Sequence, residues 1–281
     1  MANIRETDAI VQVVRCFEND DIIHELGTVD PLRDIEIINA ELILADHASL
    51  TKRRVSREKK SRGNDKEAKR ELEAIDKILP HLDEGKPAIT ADINDDDYEI
   101  MKEFFLLTSK RTIFACNVSE DDLADTINSP KDNSMVARVQ QYAEETHGAE
   151  VIIISARIEE ELIDVLPEEA KEFLADMGVV DSGFSTMIRS VYKLLGLSTY
   201  LTTGEKETRA WTIRNGAKAP EAAGVIHTDF ERGFIAAEVL HYDDYVQCES
   251  KSAARDAGKL RIEGKEYEVK DGDVIEFRFN V

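Results

Sequence analysis

Positive charge is scarce in this chain of 281 residues: 36 Lys and Arg stand against 58 Asp and Glu, a formal net charge of −22. That balance excludes a wholesale nucleic-acid coat but leaves room for a local basic patch. Cysteine is scarce too. Cys16, Cys116 and Cys248 are odd in number and far apart. Neither a disulfide framework nor a paired-cysteine metal site fits, and a reducing, cytosolic compartment follows. The longest apolar runs, such as 151–154, fall far short of a membrane span. The opening residues 1–8 are polar and charged, unlike a signal or transit peptide. The sequence also lacks G-x-x-x-x-G-K-[ST], G-x-G-x-x-G, C-x-x-C, H-E-x-x-H and G-x-S-x-G. Its Gly-Lys pairs, at Gly85, Gly258 and Gly264, are followed by Pro, Leu and Glu. None of them forms a phosphate cradle with a Mg²⁺-binding hydroxyl.

What is present is enough for a core. Apolar residues make up 42% of the chain, and the 33% that are charged are interleaved with them in periodic patterns, which argues against disorder. The length suggests two domains or three small ones. Residues 9–17, 111–116 and 150–154 read as buried strands rich in β-branched residues, and a helical pattern over 135–146 separates the last two. Strand, helix, strand at this spacing predicts a parallel α/β sheet. Between the first two strands, apolar residues recur at Ile35, Ile38, Leu42, Ala45 and Ala48 or Ser49, and again at Ala68, Leu72, Ile75, Leu79 and Leu82. Each set is the narrow stripe of a helix packed on one partner. Gly63-Asn64-Asp65 forms a turn between them, and 83–87 ends the second helix. The pattern predicts an antiparallel helical hairpin. Residues 157–196 read as helical, with Pro167 at a helix start and breaks at Gly178 and Gly183. From Tyr200 on, short β-like runs at 210–214, 233–240 and 274–279 alternate with Gly and Asp turns, the mark of a small α+β domain.

Four groups of residues could carry chemistry. Residues 51–70 hold ten basic side chains against three acidic ones, so this window is +7 and the rest of the chain −29. Lys52, Arg53, Arg54, Arg57, Lys59, Lys60 and Arg62 head this cluster. A positive tip on a negative protein is an address for phosphate backbones. The plainer alternative is a solvated helix face. No aromatics interleave the basic residues, so backbone contact is indicated rather than base stacking. The second group lies just after two strands: Asn117-Val118-Ser119-Glu120 and Ser155-Ala156-Arg157. In doubly wound sheets ligands bind outside the carboxyl ends of strands. A carboxamide there can donate to and accept from a purine edge, although Asn after a strand also serves simply as a turn former. His24, just beyond the first strand, is the third, with an ordinary packed or surface role as its alternative. The acidic stretches 94–97 and 119–122 do not match a calcium loop, and 95–97 fit a helix opening better than a metal site.

The opening residues 2–10 and 13–24 closely resemble the YchF, or Obg-like ATPase, family of P-loop NTPases. So do 63–69, 209–212, 226–231 and 271–281, so the resemblance spans essentially the whole chain. It implies a Ras-like doubly wound nucleotide domain with an inserted antiparallel helical hairpin and a C-terminal TGS domain of β-grasp type. The corresponding parts here are 1–30 with 110–196, then 31–109, then 197–281. In this family N-K-x-D is replaced by N-x-x-E and ATP is preferred over GTP. Asn117, Val118 and Glu120 match that altered motif, and Ser155 and Ala156 match the motif after the last strand. His24 matches a histidine implicated in hydrolysis. ATP or GTP with Mg²⁺ is the cofactor implied. The ribosome is the implied partner, met through RNA backbone at the basic hairpin, with no membrane and no DNA specificity.

The resemblance also has gaps. Roughly ninety residues carrying the P-loop, switch regions and Mg²⁺-binding positions would precede Met1 in a whole member, and Ala236 stands where relatives often carry a basic residue. Phosphoryl transfer depends on positioning phosphates and Mg²⁺. The chain is therefore expected to hold a base at most and to be inactive alone, its first strand a bare apolar edge. A non-catalytic ribosome- or RNA-binding module is the alternative role.

Overall fold

The computed structural model describes residues 2–63, 65–146, 149–204 and 207–280. Asn64 of the expected turn, and Met1 and Val281 at the ends, lie outside the described residues. The chain divides into two units, Met1–Val191 and Tyr192–Val281.

The first unit opens with a single turn, α1 (Ala2–Arg5), followed by β1 (Ala9–Arg15). Then come α2 (Pro31–Ser61), α3 (Lys66–Asp83), a 3₁₀ turn (Ala88–Thr90) and α4 (Asp95–Lys102). β2 (Arg111–Asn117), α5 (Leu123–Asn128), α6 (Ser134–Thr146) and β3 (Glu150–Ile154) complete the sheet region. α7 (Ala156–Leu162), α8 (Pro167–Asp176) and α9 (Gly183–Leu195) follow, the last turn of α9 belonging to the second unit. The three strands are parallel in the order β1-β2-β3. Register pairs Arg15 with Asn117 and Asn117 with Ile154, so all three strands finish at one level. One face buries Val14, Cys16, Phe114, Cys116 and Val118 against Val136, Val139 and Ala143 of α6 and Ile158 of α7. Burial of this kind is what holds a short parallel sheet together.

β1 is shorter than the sequence suggests. It stops at Arg15, after which Cys16 N–H donates to Asn117 O at 2.8 Å. The Arg15 guanidinium explains the stop: it turns back and donates to the carbonyls of Phe17, Asn19 and Ile22 at 3.0–3.2 Å.

α2 and α3 pack antiparallel. The side-chain contacts Arg57–Glu71, Arg54–Asp76 and His47–Asp83 step in opposite directions along the two helices. α2 has 31 residues, a rod roughly 46 Å long at 1.5 Å per residue. Pro31 opens it, where a missing N–H costs nothing. The Asp65 side chain caps α3 by accepting from Glu67 N–H and Ala68 N–H. The contact stripe on α2 differs from the expected one: Ile35, Ile43, Asp46 and Leu50 are buried, while Ile38 is 40% exposed and Ala48 and Ser49 are exposed. Asp46 accounts for the rotation. Its carboxylate is fully buried and accepts from Leu107 N–H, Thr108 N–H, the Thr108 hydroxyl and Arg5. A buried carboxylate with that many donors is tolerated, and it fixes which side of α2 faces inward. On α3, Ala68, Ile75 and Leu82 are buried as expected, joined by Glu71, Ala74 and Ile78.

The second unit holds β4 (Leu197–Thr203), β5 (Thr208–Arg214), α10 (Ala219–Ile226), α11 (Thr228–Arg232), β6 (Phe234–His241), α12 (Tyr242–Cys248), α13 (Lys251–Asp256), β7 (Arg261–Glu263) and β8 (Asp273–Phe279). Its sheet runs β5-β4-β8-β6-β7, with β4 and β8 parallel and the other pairs antiparallel. Tyr200 is fully buried in its core, and its hydroxyl donates to Ala222 O at 2.9 Å. The alanines Ala219, Ala222 and Ala223 let α10 approach the sheet closely. Gly233 has no room for a side chain: a Cβ there would meet Asn280 O at 2.3 Å.

Candidate functional site

The carboxyl ends of β1, β2 and β3 present three loops at one level. Asn117 is the last residue of β2. Its Oδ1 accepts from Ala156 N–H at 2.9 Å, and among the described residues its Nδ2 has no partner. Val118 N–H continues the ladder to Ile154 O at 2.9 Å, with the Val118 side chain buried. The carboxamide is thus held by one oxygen lone pair while its amide donors remain available to a ligand.

The same two loops are tied a second time. Arg157 Nε lies 2.8 Å from Glu120 Oε2 and 3.6 Å from Glu161 Oε1. Ser119 Oγ donates to Asp122 Oδ2 at 2.6 Å, which accounts for part of the acidic stretch 119–122 as a turn. Ser155 is buried, and its hydroxyl has no hydrogen-bond partner among the described residues. Asn117, Val118, Glu120, Ser155 and Ala156 are therefore gathered at one place. Arg157, which joins them, was legible only as the residue after Ser155-Ala156.

His24 leaves the same end of the sheet in the loop after β1. Leu26 N–H donates to its Nδ1 at 3.2 Å, which leaves Nε2 to carry the proton and donate to Asp34 Oδ2 at 2.9 Å. Asp34 sits in the first turn of α2. Both ring nitrogens are engaged within the chain. Among the described residues His24 has no hydrogen bond to the Asn117 group.

The basic residues separate into two kinds. Arg53 and Arg57 share the nearly buried Glu71 at 2.8 and 2.7 Å, and Arg53 also lies 4.6 Å over the Phe104 ring. Arg54 pairs with Asp76 at 2.6 Å, which raises its already high pKa further through that hydrogen bond, and Arg62 pairs with Glu58 at 3.0 Å. Lys52, Lys59, Lys60, Lys66 and Arg70 are exposed, and among the described residues they have no acidic partner.

The acidic stretch 94–97 is a helix opening: the Asn94 side chain accepts from Asp97 N–H at 2.8 Å. Among the described residues, no three His, Cys, Asp or Glu side chains converge as a metal site, and no helix is long and apolar enough to cross a membrane.

Comparison with known proteins gives consistent likenesses. The family model YchF-GTPase_C, described as a protein of unknown function (DUF933), matches residues 197–280. The chain is 46% identical over 281 residues to the "Ribosome-binding ATPase YchF" of Bacillus subtilis (strain 168), covering all of this chain and 75% of that protein. It is 48% identical to the protein of the same name in Pasteurella multocida (strain Pm70), with the same coverage. Among solved structures, the Schizosaccharomyces pombe YchF GTPase superposes with a TM-score of 0.80 at 36% identity, covering 99% of this chain and 74% of that one.

Proposed function

The chain belongs to the YchF family, and from that premise we propose that it carries the base-reading side of an adenine-nucleotide site together with a basic arm that meets the ribosome. In this reading 1–30 and 110–196 belong to a Ras-like nucleotide-binding domain. Residues 31–109 are a coiled-coil hairpin inserted into it, and 197–281 are a TGS domain of β-grasp type. The compartment is the cytoplasm. The free Nδ2 of Asn117 donates to the purine ring, while the Ala156 N–H is already spent in orienting that carboxamide. ATP is preferred over GTP.

His24 is the candidate for orienting water. To act on it, the ring must give up its contact with Asp34 or with Leu26 N–H. Bound Mg²⁺ would supply charge neutralisation at the phosphates. Among the described residues no cluster of His, Cys, Asp or Glu side chains would hold it. The 281 residues contain no G-x-x-x-x-G-K-[ST], so on their own they are expected to hold a base without hydrolysing a triphosphate. A non-catalytic ribosome- or RNA-binding role for these residues alone is favoured by the unpaired cations of the arm.

Those cations are the observation that carries the ribosome reading. Lys52, Lys59, Lys60, Lys66 and Arg70 project charge from a chain that is otherwise strongly acidic. The test is co-sedimentation with ribosomes across a salt series. Association should fall steeply with salt, and Lys59→Glu with Lys60→Glu should weaken it about tenfold. Arg53 and Arg54 are poorer choices, because changing them also breaks the pairs with Glu71 and Asp76. Unchanged sedimentation of the lysine variant rejects the reading.

A further inference from the structure

The second tie between the two strand-end loops bears on which base is read. A free carboxylate beside a purine is an acceptor-only group with two oxygens. It suits guanine, whose Watson–Crick edge offers two N–H donors, the ring N1–H and the exocyclic N2–H₂. Adenine offers an acceptor at N1 and a single donor group at N6. Glu120 supplies such a carboxylate three residues after Asn117. It is not free, however: Arg157 Nε lies 2.8 Å from its Oε2. Arg157 is in turn placed by the backbone that Asn117 grips, because the Asn117 Oδ1 bond is to N–H of the residue just before it. One short segment, 156–157, therefore orients the carboxamide and engages one oxygen of the carboxylate.

We infer that Arg157 is a specificity-determining positioning residue: by holding the Glu120 carboxylate in an ion pair, it denies guanine a bidentate acceptor and leaves the site to adenine. This inference rests on the base-reading role of Asn117 proposed above. With one Glu120 oxygen committed to Arg157, the carboxylate cannot accept from guanine N1–H and N2–H₂ together, whereas adenine needs no such pair of acceptors. Glu161 Oε1 lies 3.6 Å from the same Nε, a longer contact than the 2.8 Å to Glu120. Arg157 is 71% exposed and Glu120 39%, so screening makes the effect modest.

The test titrates the 281-residue chain with adenosine and with guanosine. It follows the backbone amides of Val118 and Ala156 by two-dimensional NMR. The native chain should bind adenosine more tightly than guanosine. Arg157→Ala should shift the preference toward guanosine by about threefold, the scale of an exposed ion pair. Arg157→Lys should keep the native preference. Adding Glu120→Gln to Arg157→Ala should cancel the gain for guanosine, since one carboxamide oxygen cannot accept from both donors. A merely structural role for Arg157 would weaken both nucleosides alike. The inference is overturned if the native chain prefers adenosine and Arg157→Ala leaves the ratio unchanged, while Asn117 keeps its role. If neither nucleoside shifts these amides in the native chain, the base-reading role falls and the inference falls with it.

Discussion

Cys16 and Cys116 lie side by side in the buried core beneath the strand ends, one residue position from the backbone that presents Asn117. The Cys116 thiol is pushed far above its ordinary value, first by its hydrogen bond with the Cys16 thiol and then by burial. A thiol held protonated is a poor nucleophile. Iodoacetamide at pH 8 should therefore modify the half-exposed Cys248 and leave Cys116 untouched until the protein is unfolded. Mass mapping that finds Cys116 labelled in the native protein at the rate of Cys248 would show that this core opens. The pH dependence follows from the sign of the shift. A folded-state pKa raised above the unfolded one means the native state holds the proton more tightly. That contribution is fully present below pH 9.0, the ordinary value of the thiol, and is lost progressively as pH climbs above it toward the folded value. The urea midpoint should fall in alkali, and less so in Cys116→Ala.

The α2–α3 pair shows the same logic in a whole element. Glu71, with 4% of its side chain exposed, sits between Arg53 and Arg57 and is flanked by the packed Ile75 and Ala74. Removing it leaves two half-buried guanidiniums without their shared acceptor. Glu71→Ala should cost about 3 kcal/mol, the scale of a broken buried pair. Urea unfolding followed by helical circular dichroism measures it, with Glu71→Gln falling between. A loss under about 0.5 kcal/mol would class the cluster with ordinary surface pairs. Glu71 and Asp46 also explain what the sequence left unread. Hydrophobic periodicity placed Ala68, Ile75 and Leu82 correctly because Ala74 and Ile78 share that face, and it missed Glu71, whose burial there rests on Arg53 and Arg57. It misjudged α2 because an aspartate fills one inward slot there, and the partners that make this tolerable lie about sixty residues away, at Leu107 and Thr108. β4 went unread because Leu-Ser-Thr-Tyr-Leu-Thr-Thr has no two-residue alternation; it is held by Trp211 and its neighbours across β5 and by Asp271 on Thr199 N–H. At the site, Asn117, Ser155 and Ala156 could be read from their positions after strands. The Glu120–Arg157 tie could not, since only the register of β2 against β3 brings 120 and 157 together.

Across the whole chain, charge decides what a nucleotide meets. The chain carries −22, and outside residues 51–70 the balance is −29. A triphosphate adds several negative charges to whatever binds the base. The groups that offset such charge in this class of site are a backbone cradle, a lysine and a metal ion, and the sequence motif for them does not occur in the 281 residues. Asn117 has only its carboxamide to offer. ATP should therefore bind at the strand ends no more tightly than adenosine. At low ionic strength it should bind more weakly, because repulsion between like charges is then least screened. The two affinities should converge as salt is raised. Titrations read at the Val118 and Ala156 amides separate this site from loose attraction of ATP to the basic arm, where Lys59→Glu with Lys60→Glu provides the control. ATP binding tenfold tighter than adenosine at those amides would mean that this chain holds a phosphate-binding group of its own, and its position would then be sought from the remaining shifts.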